Sequence, residues 1–411
     1  MKALTTVSSL LLSTALLLIG HGMQLTLVPL RASANGLSDF IIGVSASSYF
    51  LGFIVGCIAI PAAIARVGHI RIFAVLTALM TSAILGIEML DDWQFLVLLR
   101  FITGVAISSL YTAIESWLND QATAETRGRI LSIYNFILLM AMALGQALIN
   151  VGPITSPAPF TLAAVFLVLA IVPVGLTSKL APAPVPATRV SFSLLYQRSR
   201  SAFAGALLSG LVVGSFWSLG AIFARSNSES QSDISWFVSA AIIGGGLLQY
   251  PIGLLSDRMD RRKVLLLLCL GGTLSSIAVA ASVGQSWHLA SVFLFGAMVM
   301  PIYAMSLATA ADVADVSEFV QIGTTVLMLN ALGALLAPLA LGQLMNVLGA
   351  PALFWSFSAM CLLFMAFMAL QLRETRKVTV AEQVPFSAAA SEVAPASFDL
   401  DPRGPEHTEG T

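Results

Sequence analysis

The chain has 411 residues and a net charge of −1; only 10% of its side chains are charged and 57% are hydrophobic, and mean hydropathy is +0.90. Soluble domains use roughly 45–50% apolar residues, so a water-soluble fold of this length lacks the polar surface it would need. Near-neutral charge offers no footprint for nucleic acid, and Cys57, Cys269 and Cys361 stand singly in apolar runs, with no metal-ligand spacing and no basis for a disulfide.

Apolar stretches of membrane-spanning length recur, each near the ~20 residues that a helix rising 1.5 Å per residue needs to cross a bilayer. Barrel strands would instead alternate over ~10 residues. The first stretch, 5–30, lies between Lys2 and Ala32-Ser33-Ala34 like a secretory leader, but it exceeds the ~7–15 apolar residues of such leaders. It reads as an uncleaved span, with His21 near its middle and Gln24 one turn on. The histidine suits proton exchange at an unperturbed pKa of ~6.5, or a hydrogen bond to a neighbouring helix. In the second segment, 40–65, Ser48, Gly52 and Gly56 recur every four residues, the mark of close helix packing. The third covers 70–90.

Segment four, 93–118, places Arg100, Gly104, Ser108, Tyr111 and Glu115 on one stripe, expected to line a water-filled path. Arg100 would couple to substrate or protons, or else bind backbone carbonyls. Glu115, near the end of its segment, would take up a proton or pair with Arg66, Arg127 or Arg129. Segment five, 128–152, carries Asn135, Met142, Gln146 and Asn150 on a second stripe, whose amides would bind ligand or tie helices together. Segment six is 157–178, followed by KLAPAPVPATRVSFSLLYQRSR (179–200), rich in proline and basic residues. Six more segments follow, 200–224, 232–256, 262–283, 286–312, 320–346 and 350–372, in which Trp217, Tyr303 and Asn330 are candidate stacking and polar contacts. Beyond Lys377 the composition turns polar and predicts disorder. The resulting division is a six-helix bundle over 1–178, a linker over 179–199, a second bundle over 200–377 and a tail over 378–411.

Lys and Arg concentrate in the loops that share a side with the N-terminus, which assigns both chain ends to the cytoplasm. One loop on that side dissents, with Asp312, Asp315 and Glu318. A shift of 192 residues lays Arg66 on Arg258, Gly52 on Gly244, Gly104 on Gly296, Tyr111 on Tyr303 and Asp120 on Asp312, which argues for two similar halves.

GLLSDRMDRRK (253–263) packs six charged side chains into one turn between apolar runs. It resembles the G-x-L-x-D-R-x-G-R-R motif of the major facilitator superfamily: Gly253, Leu255, Asp257, Arg258, Arg261 and Arg262 match, and Asp260 replaces the second glycine. The copy at 61–71, PAAIARVGHIR, keeps Arg66 and Gly68 only. Within 100–129, the R-x-x-x-G, ESWLN and RGR elements are similar to the YcaD-like branch of that superfamily. The resemblance implies an all-α fold of twelve transmembrane helices in two pseudo-symmetric bundles. It also implies a cytoplasmic gate in which Arg261, four residues from Asp257, reaches Asp312, with Arg66, Gly68, Asp120 and Arg258 as associated positions.

The expected protein is a secondary transporter of the bacterial inner membrane. It would move a small organic solute by alternating access with proton coupling, as a monomer in lipid. The glycine-proline signature of drug exporters is missing, since Gln146 follows Gly145. An uptake carrier for a sugar, amino acid or organic anion, and a non-transporting sensor or scaffold, stand as alternatives. Scattered histidines (21, 69, 288 and 407) speak against an enzyme, no cofactor or metal is called for, and without a G-x-x-x-x-G-K-[ST] loop ATP is not the expected driver.

Overall fold

Long apolar runs in a bilayer leave backbone N–H and C=O groups no partner outside the chain, so the stable solution is helix throughout. The computed structural model describes residues 2–123, 126–176, 189–227, 230–315 and 318–374, together with Gln383 and Phe386. Among these, twelve helices are long and apolar enough to cross a membrane. They are α1 (Val7–Ala34), α2 (Asp39–Val67), α3 (His69–Met89), α4 (Trp93–Asp120), α5 (Gly128–Val151), α6 (Ala158–Gly175), α7 (Arg200–Ser226), α8 (Gln231–Ser256), α9 (Arg261–Ala281), α10 (His288–Ala311), α11 (Phe319–Leu348) and α12 (Ala352–Gln371). The expected segments match them to within a few residues. α1 starts and α12 ends at the same face, here called basal; the opposite face is distal.

Local chemistry sets several boundaries. Ser38, Asp92 and Asp260 accept N-terminal amides of α2, α4 and α9, and Ser230 with Asp233 forms a reciprocal capping box on α8. Gly68 ends α2 at φ 88°, a conformation that L side chains rarely adopt.

The two halves repeat in their backbone contacts. In the first, Gly52 of α2 lies against the Phe101 carbonyl of α4, and Gly104 against the Tyr49 carbonyl, with no room for a Cβ. In the second, Gly244 of α8 lies against the Phe293 carbonyl and Gly296 of α10 against the Ala241 carbonyl. All four positions map onto one another at the 192-residue shift. A second set maps at a shift of 188. Gly22 and Gly145 join α1 to α5 through the carbonyls of Met142 and Ile19, and Gly210 and Gly333 join α7 to α11 through those of Asn330 and Leu207. Small residues thus bring backbones into contact at equivalent places in both bundles.

Side chains pointing away from each bundle are apolar, including Ile58, Leu79, Phe136, Leu247, Leu274 and Leu363, a surface suited to lipid. The second half is filled by a stack of Phe216, Phe223, Phe237, Phe295, Phe354 and Phe357, with neighbouring ring centroids 4.6–6.3 Å apart.

The halves meet through α1 with α7, α2 with α7 and α11, and α5 with α8. Near the distal face the contact is close. The Gln231 amide donates to the carbonyls of Ile149 (2.7 Å) and Gly152 (2.8 Å) and accepts from the Ile154 amide (3.0 Å). Arg225 donates to the Leu30 carbonyl at 2.7 Å.

Of the expected linker, 189–199 is described. A short helix, Phe192–Arg198, is tied to the second half by Ser191 N donating to Thr325 Oγ1 and by Arg198 pairing with Asp315 and Glu318 at 2.9 and 3.0 Å. That pairing accounts for the acidic loop that broke the basic pattern; in return, Glu318 and Asp315 raise the Arg198 guanidinium above its ordinary pKa. The tail expected over 378–411 lies outside the described residues except for Gln383 and Phe386. Gln383 donates to the Met259 carbonyl at 3.2 Å, the Phe386 amide donates to Asp257 Oδ1 at 2.9 Å, and the Phe386 ring packs on Gly253.

Candidate functional site

Between the halves lies a small cavity walled by Leu25, Tyr49, Phe50, Phe53, Trp217, Asn330 and Ala331. Its walls come from α1 and α2 on one side and α7 and α11 on the other. One helical turn before Trp217, α7 widens into a π turn at Gly210–Gly214, a distortion that recurs at functional sites. Here it accompanies the close approach of Gly210 to the Asn330 carbonyl.

Tyr49 organises the first-half wall. Its ring carries the Arg100 guanidinium, with Cζ 4.4 Å from the centroid, and its hydroxyl shares a 3.3 Å hydrogen bond with His21 Nε2. Arg100 is only 4% exposed, and His21 and Gln24 are fully buried. Three helices, α1, α2 and α4, therefore converge on one aromatic ring, with Trp217 and Asn330 facing it from the other half.

A second polar group lies further along α4. Glu115 is fully buried and accepts a 2.9 Å hydrogen bond from the Tyr134 hydroxyl of α5. Tyr303 of α10 lies within electrostatic range of Glu115, and Tyr111 within range of Tyr134. Glu115 therefore lies buried near the basal end of α4, bonded to a tyrosine of α5.

The single stripe expected along α4 divides. Gly104 and Ser108 press against Tyr49 and Gly56 of α2, so they pack helices instead of lining a path. Gln146 is likewise a staple, since its amide accepts from Thr26 at 2.7 Å and donates to the Gly22 carbonyl at 2.7 Å, both on α1. Asn135 is half-buried in α5, and Asn150 is exposed and bonds within its own turn.

At the basal face, Arg261 is brought together with Asp257 (3.1 Å), with Asp312 and with the Ala308 carbonyl (2.9 Å). These contacts join α8, α9 and α10 of one half; among the described residues no ion pair crosses between the halves. Arg258, Arg66 and Asp120 are exposed outside this cluster, and Gly68 forms the α2–α3 turn. Asp260 holds Arg262 beside its own cap, with N–O separations of 3.0–3.2 Å. Sequence reasoning missed Tyr49 and Tyr134. The only signal was an aromatic pair beside the small residues of SASSYFLGF, and a tyrosine nineteen positions from Glu115.

The family model described as Major Facilitator Superfamily matches residues 10–201 and again 202–398, once per half. The chain belongs to the Major Facilitator Superfamily. It is accordingly a multi-pass membrane protein of a transporter family, not an enzyme. The MFS-type transporter YcaD of Escherichia coli strain UMN026 is 28% identical over 341 residues, 82% of this chain and 88% of YcaD. Among solved structures, the nucleoside transporter NupG superposes with a TM-score of 0.77 at 13% identity, covering 89% of this chain and 99% of NupG. A D-xylose-proton symporter gives 0.68 at 13% identity, covering 88% and 96%.

Proposed function

We propose that this member of the superfamily is a secondary active transporter of the bacterial inner membrane. It moves a small organic solute by alternating access, with both chain ends in the cytoplasm and protons as the coupling ion. The observation that carries the reading is the cavity shared by the two repeated halves, with buried ionisable groups on only one of its sides. Charge inside a membrane is costly and is kept where it serves a pathway.

Roles divide along α4. Arg100, with His21 and Tyr49, faces the cargo; Glu115, enclosed by tyrosines, takes and releases the proton. The Arg261 cluster fastens α8, α9 and α10, so that the second half moves as one body. The distal contacts of Gln231 and Arg225 close the exit away from the cytoplasm, and their release is the opening step.

Proteoliposomes holding the full chain are screened with a mixed metabolite and drug panel, with and without a pH gradient. Wild type is expected to accumulate at least one solute only when the gradient is present, while Glu115→Gln equilibrates that solute without concentrating it. Accumulation indifferent to the gradient would remove proton coupling, and movement of no solute would favour a scaffold.

A further inference from the structure

Arg100 presents an unbalanced charge. It is buried, its Nη1 has no hydrogen-bond partner, and among the described residues no carboxylate pairs with it. Glu115 lies fifteen residues away on the same helix, ~22 Å along its axis. The position equivalent to Arg100 in the second half is Val292, which offers no counter-charge. Stacking on Tyr49 offsets part of the desolvation but leaves the planar donor fork unused, and such a fork fits a carboxylate or sulfonate in two-point contact.

The cavity beside it supplies the rest of the specification. Tyr49 is common to both, since its ring walls the cavity and carries the guanidinium. The remaining walls are mainly Phe50, Phe53 and Trp217, with Asn330 as the polar side chain opposite and the Trp217 Nε1–H without a partner.

We infer that the cargo is a small monoanion: a carboxylate or sulfonate that pairs with Arg100, carried on a flat apolar or aromatic body seated between Tyr49, Phe53 and Trp217. This assignment rests on the transporter reading above and narrows it. One unpaired cation sets a single charge on the ligand, and the aromatic walls disfavour polyols, whose hydroxyls would go unsatisfied there.

The test uses the reconstituted full chain and matched probes: phenylacetate against phenylacetamide, indole-3-acetate against indole-3-acetamide, and benzenesulfonate, whose permanent charge rules out passive entry. Uptake and ligand-induced shifts in melting temperature are read together. Wild type is expected to favour each acid over its amide at least tenfold and to take up benzenesulfonate. In Arg100→Gln the acid-to-amide ratio falls at least tenfold; Arg100→Lys, which keeps charge without the fork, falls between the two and serves if the glutamine variant does not fold. Equal handling of acid and amide by wild type, or an unchanged ratio in both variants, overturns the assignment. So does a wild type that ignores every probe here yet accumulates other solutes of the mixed panel, a result that leaves the transporter reading standing. Movement of nothing in either panel ends both.

Discussion

Gly104 and Gly296 are equivalent, 192 residues apart, and both have a neighbouring backbone carbonyl where a Cβ would be: Tyr49 for the first, Ala241 for the second. Real Cβ contacts stay beyond 3.0 Å, and in each case the clash is with main chain, which no rotamer change relieves. Alanine at either position must part α4 from α2, or α10 from α8, by about 1 Å or more, an overpacking that costs ~1–3 kcal/mol. Taking an unfolding entropy of ~2.1 cal/mol/K per residue, a chain this long loses about 1–4 °C in melting temperature. The assay is built in, because Cys57, Cys269 and Cys361 are all buried and a thiol-reactive dye reports their exposure on heating. Gly104→Ala and Gly296→Ala should fall by similar amounts. Gly175→Ala, whose added methyl would meet nothing within 4 Å, should hold or rise slightly. A Gly104→Ala protein that melts with wild type, while Gly296→Ala drops, would refute the claim that the halves share one packing scheme.

Two further outcomes follow from the basal and distal faces. Arg261→Met leaves the buried Asp312 carboxylate without its guanidinium, so it should cost ~3–5 kcal/mol; Ser116→Ala, which removes the 3.0 Å hydrogen bond with His69 and leaves no cavity, should cost only ~1 kcal/mol, and equal thermal shifts would contradict the difference in bonding. Gln231→Ala deletes three hydrogen bonds between the halves. Spin labels at the exposed Val151 and Trp236 should then report a longer, broader distance distribution, and an unchanged distribution would show that Gln231 does not hold the distal face shut.

Span positions were legible because hydrocarbon imposes a length and leaves the backbone one way to satisfy itself. The 192-residue repeat was legible because glycine at a helix contact and charge at a turn tolerate few substitutes. Contacts between helices were harder to read. A polar stripe on α4 does not by itself distinguish a wall from a packing seam, and Gly104 and Ser108 proved to be seam while Arg100 faced Tyr49. Tyr49 and Tyr134 looked like ordinary apolar filling, since a tyrosine's role depends on what its hydroxyl meets across space. The 188-residue register of α1, α5, α7 and α11 escaped because its matched pairs, Gly22 with Gly210 and Gly145 with Gly333, fall on a different shift from the other set.

The duplicated scaffold has been put to two uses. Arg261 in the second half binds the Ala308 carbonyl and Asp312; 192 positions earlier, His69 meets Ser116, the counterpart of Ala308. The same junction between the third and fourth helices of each half is kept in both, with a charged clamp in one and a neutral hydrogen bond in the other. The ionisable groups of α4 run the opposite way: Arg100 and Glu115 in the first half stand where the second half has Val292 and Leu307. The second half, with its phenylalanine stack and its clamp, is built to stay rigid. The first half holds the buried ionisable side chains to which the proposed function assigns solute and proton binding. Under the proposed alternating access, rocking would need no rearrangement inside either bundle: the second half would present Trp217 and Asn330 as a fixed wall, and what binds beside Arg100 and Glu115 would set the free energy of the cycle.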